Sequence, residues 1–228
     1  TTNDVVYVYN QQLAQILQFN KNTITETVVK FRCATIVNEK LYIGTANHGL
    51  VVLSISNSSG FEFLIPDGPL RNTIFSINAK TQNLWVVFGG YEYRYNPYIY
   101  DDFGGATEYG ISKFTENKWL NIPYEEVLGA KALSSIEINP NNSNEVYIGS
   151  YFSGLLKIVD DIPTMLYNAS NTGSNGLQAL TPPNSDIRVN FPTFDKQGNI
   201  WMTNAQIEKG IKVFKANNQW QSFSLENV

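Results

Sequence analysis

The sequence has one cysteine and one histidine among 228 residues. A single thiol, Cys33, cannot form a disulfide within the chain, and one cysteine with one histidine is too few for a His/Cys metal site. A Ser-His-Asp triad would have to use His48, which lies just before Gly49 in a segment typical of a turn. Cys33 lies in an apolar segment typical of a strand, so we expect it to be a small buried residue.

Charged residues are also scarce, at 16% of the chain, and the formal net charge is -4. No basic stripe is present, which argues against nucleic acid as a partner. No apolar run approaches the roughly 20 residues of a membrane-spanning helix. The chain begins at Thr1 with neither an initiator methionine nor a signal-peptide pattern, which predicts a fragment of a larger protein whose targeting sequence lies elsewhere.

Hydrophobic residues, by contrast, make up 43% of the chain and aromatic residues 13%. This is enough for a packed core and excludes disorder as the main state. Glycine, asparagine, serine and threonine are frequent, and long helix-forming stretches are absent. The composition therefore predicts an all-β fold of short strands joined by tight turns.

One pattern occurs four times: an apolar-aromatic-apolar triplet, preceded by a polar turn and followed by glycine, threonine or serine. The copies are Lys40–Thr45, Asn83–Gly89, Glu145–Ser150 and Asn199–Asn204, with aromatics at Tyr42, Trp85, Tyr147 and Trp201. The first two aromatics are 43 residues apart. The second interval is longer by an insert of 19 residues and the third by an insert of about 11 residues. A unit of this length is typical of one four-stranded β-propeller blade.

The repeat divides the chain into a half blade, residues 1–19, and four blades at about 28–70, 71–123, 132–168 and 186–226. In the last blade we predict strands at 187–195, 200–204, 211–215 and 220–225, and in the half blade at 5–9 and 13–19. The prediction is a single propeller segment of about 4.5 antiparallel blades. We expect an open arc whose terminal blades are capped by further blades of the parent protein.

The long loops of this arrangement all lie on one face. Successive strands of a blade run in opposite directions. The loop from the second to the third strand therefore leaves the blade on the same side as the loop that leads to the next blade. The insert at 91–109 is of the first kind, and the segments 123–132 and 168–185 are of the second. Long loops on a rigid scaffold commonly carry binding residues, which makes this face the candidate functional surface.

The insert is rich in tyrosine. Its candidate ligand or partner contacts are Tyr91, Tyr93, Arg94, Tyr95, Tyr98, Tyr100 and Asp101. Aromatic faces with hydroxyl tips suit sugar rings and protein partners equally well. The alternative is structural, with the rings plugging the propeller channel or packing on a neighbouring domain.

Equivalent loops of the other blades supply further candidates for a shared rim: Asn47, His48, Tyr151, Phe152 and Asn204. Turn chemistry alone would also select asparagine and glycine at such positions. The rim is therefore an open hypothesis.

Catalysis and cofactors are not predicted. The acidic pairs 101–102 and 160–161 lack the ligand spacing of a calcium loop and are interpreted as solvated turns. Glu92, Asp101 and Glu108 share one loop and could form a carboxylate pair for sugar hydrolysis, but a flexible loop holds such geometry poorly. We expect no catalytic residues, no metal and no cofactor.

Residues 195–203 and 145–155 resemble the two-component-regulator-propeller repeat, with the pattern D-x-x-G-N-[LI]-W-[IV]-G-T. Residues 201–214 and 220–223 resemble the PorZ-type propeller proteins of the type IX secretion system in Bacteroidetes. That resemblance implies an exported, cell-surface component that supports sortase-dependent attachment of secreted cargo to anionic lipopolysaccharide. Its implied partners are other domains of the parent chain, secretion-system proteins and a surface glycan or lipopolysaccharide.

The rival interpretation is a glycan-sensing periplasmic propeller of a hybrid two-component regulator, which uses the same repeats. A histidine kinase downstream would indicate the sensor, and a β-rich sorting domain the secretion component. A propeller enzyme such as a polysaccharide lyase is a third class, and it would release new sugar ends.

Overall fold

A computed structural model describes residues 1–25, 27–46, 48–57, 60–92, 94–99, 105–183 and 185–224. It contains strands and two short 3-10 helices, and it divides into two compact units, residues 1–67 and 68–228. No helix in the described part of the chain is long and apolar enough to cross a membrane.

The first unit holds one two-stranded and one four-stranded antiparallel sheet. The two-stranded sheet pairs β1 and β2, and the four-stranded sheet follows chain order from β3 to β6. Their bounds are β1 Val5–Tyr9, β2 Gln15–Asn20, β3 Phe31–Val37, β4 Lys40–Thr45, β5 Leu50–Ser54 and β6 Phe61–Leu64, with a 3-10 helix at Lys21–Thr23. Phe19 and Phe31 stack at 6.1 Å in the core that both sheets share.

The second unit holds three four-stranded antiparallel sheets and one two-stranded hairpin. The second blade is β7 Ser76–Lys80, β8 Asn83–Val87, β11 Ile111–Thr115 and β12 Lys118–Ile122, with the hairpin β9 Tyr98–Ile99 and β10 Gly105–Ala106 between β8 and β11. A 3-10 helix at Tyr124–Glu126 follows it. The third blade is β13 Leu133–Ile138, β14 Glu145–Ser150, β15 Gly154–Val159 and β16 Ile162–Tyr167, and the fourth is β17 Val189–Phe194, β18 Ile200–Asn204, β19 Ile211–Phe214 and β20 Trp220–Phe223.

The repeated triplet explains how the blades stack. Successive side chains of a strand point to opposite faces, so Val146 and Ile148 pack into the core shared with the second blade while Tyr147 packs into the core shared with the fourth. Trp85 likewise faces the following blade. The equivalent Trp201 in the last blade is 37% exposed and stacks on Phe223 at 5.7 Å.

Three of the hairpins close through two-residue turns of one type. Both central residues have positive φ at Asn38-Glu39, Glu116-Asn117 and Asp160-Asp161, the geometry that matches the right-handed twist of paired strands. Asp160 and Asp161 do form the predicted turn, but it is not simply solvated. Asp161 pairs with the buried Lys113 of the second blade at 2.6 Å.

The prediction that Cys33 is buried was wrong. The register of β3 against β4 shifts between Phe31 and Cys33, so the usual alternation of inward and outward side chains is interrupted there. Phe31 keeps the inward position, and Cys33 is exposed with its Sγ close to Gly44.

Candidate functional site

The tyrosine-rich insert leaves β8 through a narrow passage beside an aromatic ring. Gly90 has φ of 109°, and a Cβ there would lie 2.5 Å from the ring of Phe75. Only glycine fits both the backbone conformation and the space. The close passage brings Tyr91 against Phe75, with ring centroids 5.1 Å apart.

Tyr91 is the centre of a ring cluster. Its centroid is 4.5 Å from that of Tyr151 and 5.2 Å from that of Tyr95. Its hydroxyl accepts a hydrogen bond of 2.9 Å from Nδ2 of Asn190, at the start of β17. We call Phe75, Tyr91, Tyr95 and Tyr151 the tyrosine cluster. It joins the insert to the third blade, through Tyr151, and to the innermost strand of the fourth.

A buried ion pair supports the cluster from below. The guanidinium of Arg188 donates to both carboxylate oxygens of Asp186, at 2.7 and 2.9 Å, and the two residues are 8% and 5% exposed. Arg188 also donates to the backbone oxygen of Tyr95 at 3.5 Å, and its Cζ lies 5.7 Å from the Tyr151 ring centroid. A bidentate pair of this kind is rigid as well as strong, so the loop rests on a fixed base.

Tyr98 extends this arrangement toward solvent. Its hydroxyl donates to Oδ2 of Asp186 at 3.4 Å, and its ring lies 5.7 Å from that of Phe152 in an edge-to-face contact. Tyr98 is 37% exposed and Tyr95 60% exposed. Among the described residues, the exposed rings of the site are therefore those of Tyr95 and Tyr98, held from behind by buried groups.

Burial and the Asp186 carboxylate set the protonation of the polar groups in the site. Burial raises the pKa of Tyr151, and burial together with Asp186 raises the pKa of Tyr98. The hydrogen bond to Asp186 raises the pKa of Arg188. Both hydroxyls thus stay protonated near neutral pH and can donate or accept hydrogen bonds, while Asp186 neutralises the charge of Arg188.

The structure brings five of the predicted site residues together: Tyr91, Tyr95, Tyr98, Tyr151 and Phe152. Arg94 is exposed on the same loop. Tyr93, Tyr100, Asp101 and Asn47 lie outside the described residues. The shared rim therefore stays a prediction.

Two of the predicted rim residues have local partners instead. His48, in the first unit, shares a hydrogen bond of 2.8 Å with Thr27 Oγ1. Asn204 is fully buried and accepts from the backbone N–H of Gln178 at 2.7 Å, while its Nδ2 has no hydrogen-bond partner among the described residues.

Sequence reasoning missed Asp186, Arg188 and Asn190. The signal was present, because an acidic and a basic residue, Asp186 and Arg188, stand two positions apart in the segment just before β17. A charged pair in that position is expected to be paired internally.

Within the ranges that the structure covers, no group of three or more His, Cys, Asp or Glu residues is arranged to hold a metal ion. The insert, the loop before β17 and the turn after β14 instead assemble ring faces, hydroxyls and one neutralised ion pair. Such a surface can bind a ligand by stacking and hydrogen bonding.

The chain is similar in structure to PorZ, a bacterial surface component of the type IX secretion system of Porphyromonas gingivalis. The TM-score is 0.64 with 19% identity, and the match covers 97% of this chain and 28% of the PorZ chain. The fold is a β-propeller. The predicted fold class and the resemblance to PorZ-type propellers are confirmed at the level of fold.

Other solved structures match more weakly. The extracellular domain of a putative hybrid two-component system from B. thetaiotaomicron gives a TM-score of 0.32 with 14% identity, over 100% of this chain and 36% of that one. YCF48 bound to a D1 peptide gives 0.37 with 8% identity, over 97% and 78%. No protein-family model matches the chain, and no curated protein matches its sequence.

Proposed function

We propose that this chain is part of an exported, non-catalytic β-propeller that acts as a binding scaffold on the cell surface, in a type IX secretion system component that supports attachment of secreted proteins to surface lipopolysaccharide. The structural likeness to PorZ over 97% of the chain is the observation that carries this proposal. The chain spans 28% of the PorZ chain, so other domains of the parent protein are its first proposed partners.

The tyrosine cluster, with Tyr98 beside it, is the proposed contact surface. Tyr95 and Tyr98 combine exposed ring faces with a base that the Arg188 and Asp186 pair holds in place. A preorganised aromatic surface loses little conformational entropy on binding. The pKa values of Tyr98 and Tyr151 are raised, so both hydroxyls are available as neutral hydrogen-bonding groups, and Asp186 neutralises Arg188.

The proposal is tested in the parent organism with the full-length protein. Its deletion should release secreted cargo from the cell surface, and surface proteolysis of intact cells should cleave the protein. A variant with Tyr95→Ala and Tyr98→Ala should fold but restore cargo attachment incompletely. Tyr9→Ala is the matched control, because Tyr9 is 54% exposed in the first unit, far from the cluster in sequence.

Three results would contradict the proposal. Full restoration by the double variant would remove the tyrosine cluster from the function. Unchanged cargo attachment after deletion, with a histidine kinase encoded downstream, would indicate the glycan sensor instead. New reducing ends or unsaturated products after incubation with a glycan panel would show an enzyme.

A further inference from the structure

A second surface, which shares no residue with the tyrosine cluster, lies between the third and fourth blades. It is a cleft of about 600 Å³ bordered by the end of β16, the segment 171–175 and the turn into β20. Its lining includes Tyr167, Asn171, Phe214, Asn218 and Trp220. We call this the inter-blade cleft.

A smaller cleft of about 210 Å³ adjoins the inter-blade cleft. The two share Phe214 and Asn218 as lining residues. Glu145 and Lys157 of the third blade lie in the smaller part, together with Lys215 of the fourth. The two clefts together thus combine an aromatic wall with charged side chains.

Three aromatic rings form the wall of the inter-blade cleft. Phe214 is buried and stacks on Trp220 at 4.9 Å with 27° between the ring planes. Tyr167 lies 5.0 Å from Phe214 and 5.8 Å from Trp220. Because the buried ring fixes the other two, half-buried Tyr167 and Trp220 present rigid faces to the cleft.

Open hydrogen-bonding groups surround this wall. The indole N–H of Trp220 and the side-chain amide of Asn218 have no hydrogen-bond partner among the described residues. The backbone of Asn218 is in the left-handed region, with φ of 64°. Asn171 is already fixed by bonds to the backbone of Asn168 and Leu166 at 2.8 and 2.9 Å, so it shapes the rim.

The smaller cleft carries a neutralised ion pair. Glu145 accepts from Lys157 and Tyr147, both at 2.7 Å, and from Asn139 at 2.8 Å. Burial by itself would raise the pKa of Glu145, but these hydrogen bonds outweigh it and lower that pKa. Lys157 already balances the charge of this carboxylate, and three donors occupy most of its acceptor sites.

We propose that the inter-blade cleft binds a neutral saccharide, with a sugar ring stacked on Trp220 and Tyr167 and its hydroxyls bonded to Asn218 and the indole N–H. A sugar ring has one apolar face and a polar rim, which matches a rigid aromatic wall edged by amides. The proposal does not rest on the proposed function, because it uses different residues and a different measurement.

The test uses an array of neutral oligosaccharides built from glucose, mannose, galactose, xylose, fucose or N-acetylhexosamine. The strongest hit is then titrated by calorimetry and by tryptophan fluorescence. Trp220→Ala should weaken binding about tenfold or more, given the usual strength of aromatic contacts. Trp201→Ala is the matched control, since Trp201 also stacks on an aromatic ring of the fourth blade but does not line the cleft, and it should bind as the wild type does.

Asn218→Gly keeps the left-handed backbone and removes only the amide, so it tests the cleft even if Trp220→Ala fails to fold. It should weaken binding several-fold with an unchanged unfolding temperature. Absence of binding to every member of the array overturns the proposal, and so does equal binding by the wild type and Asn218→Gly. Loss of binding in the Tyr95→Ala, Tyr98→Ala variant alone would place the sugar at the tyrosine cluster and also overturn it.

Discussion

Lys212 in β19 is fully buried, and its replacement gives a quantitative test of the structure. Its ammonium donates to Oε1 of Gln178 at 3.1 Å and forms no ion pair with a carboxylate in the described part of the chain. Burial, and to a lesser extent the nearby charge of Lys209, lowers the pKa of Lys212 from 10.5 to about 8. The folded protein therefore holds this proton less tightly than the unfolded chain does.

The sign of the pH dependence follows from proton binding. Between about pH 8 and 10.5 the unfolded chain binds more protons at Lys212 than the folded protein, so this residue makes stability rise with pH across that window. Each unit of pKa difference corresponds to about 1.4 kcal/mol. At pH 7 the buried charge should therefore lower the free energy of unfolding by about 3 kcal/mol relative to a neutral side chain.

Lys212→Met removes the charge and keeps a side chain of similar length. Gln178 is exposed, so water can replace the lost hydrogen bond. We expect the variant to be more stable than the wild type at pH 7, with a difference that shrinks as the pH rises to 10.

Urea unfolding at half-unit pH steps measures the difference in the free energy of unfolding between the variant and the wild type. Titratable groups that both proteins share contribute equally and cancel. Lys118→Met, at an exposed position of β12, should show no such trend. A constant difference from pH 7 to 10, or a less stable variant throughout, would refute the reasoning that Lys212 is buried without a compensating charge.

Three further outcomes are expected. The indole of Trp201 and the side chain of Asn199 lower the pKa of Asp195 to about 2. This carboxylate therefore stabilises the fold above about pH 4, and the stabilisation is lost as the pH falls through 2. Acid unfolding of Asp195→Asn should lack this pH-dependent loss of stability. Gly154→Ala should lower the free energy of unfolding in urea by about 2 kcal/mol or more, because φ is 110° and the added Cβ would collide with the backbone oxygen of Tyr167. Cys33 should react with a maleimide in the folded protein as completely as in denaturant, and protection in the native state would contradict its exposed position.

Much of the fold could be predicted because it depends on local pattern. The triplet containing Tyr147 needs apolar residues on both faces of one strand, and that requirement is visible in the sequence as an uninterrupted apolar run between turns. The strands at 5–9 and 200–204 were predicted at their observed bounds. The second strand of the half blade begins two residues later than predicted, because Asn10 accepts from the backbone of Gln12 and Ala14 and extends the turn.

The site was harder to predict. The tyrosines of the insert stood out by composition. Their supporting residues did not, because Arg188 lies 93 positions from Tyr95 and Asn190 lies 99 positions from Tyr91. Asn204 looked like a rim residue and is buried instead. The inter-blade cleft combines Tyr167 with Phe214 and Trp220 from another blade, and no spacing in the sequence relates these positions.

The sequence by itself determined the repeat, the strand and turn positions and the loop that carries the tyrosines, since these follow from side-chain alternation and turn chemistry within about 43 residues. Only the tertiary structure decided which rings meet, which charges are paired and where clefts open. Those properties depend on how one blade packs against the next. Packing brings distant residues within a few ångströms of each other, and its outcome is set by the shapes of both surfaces together.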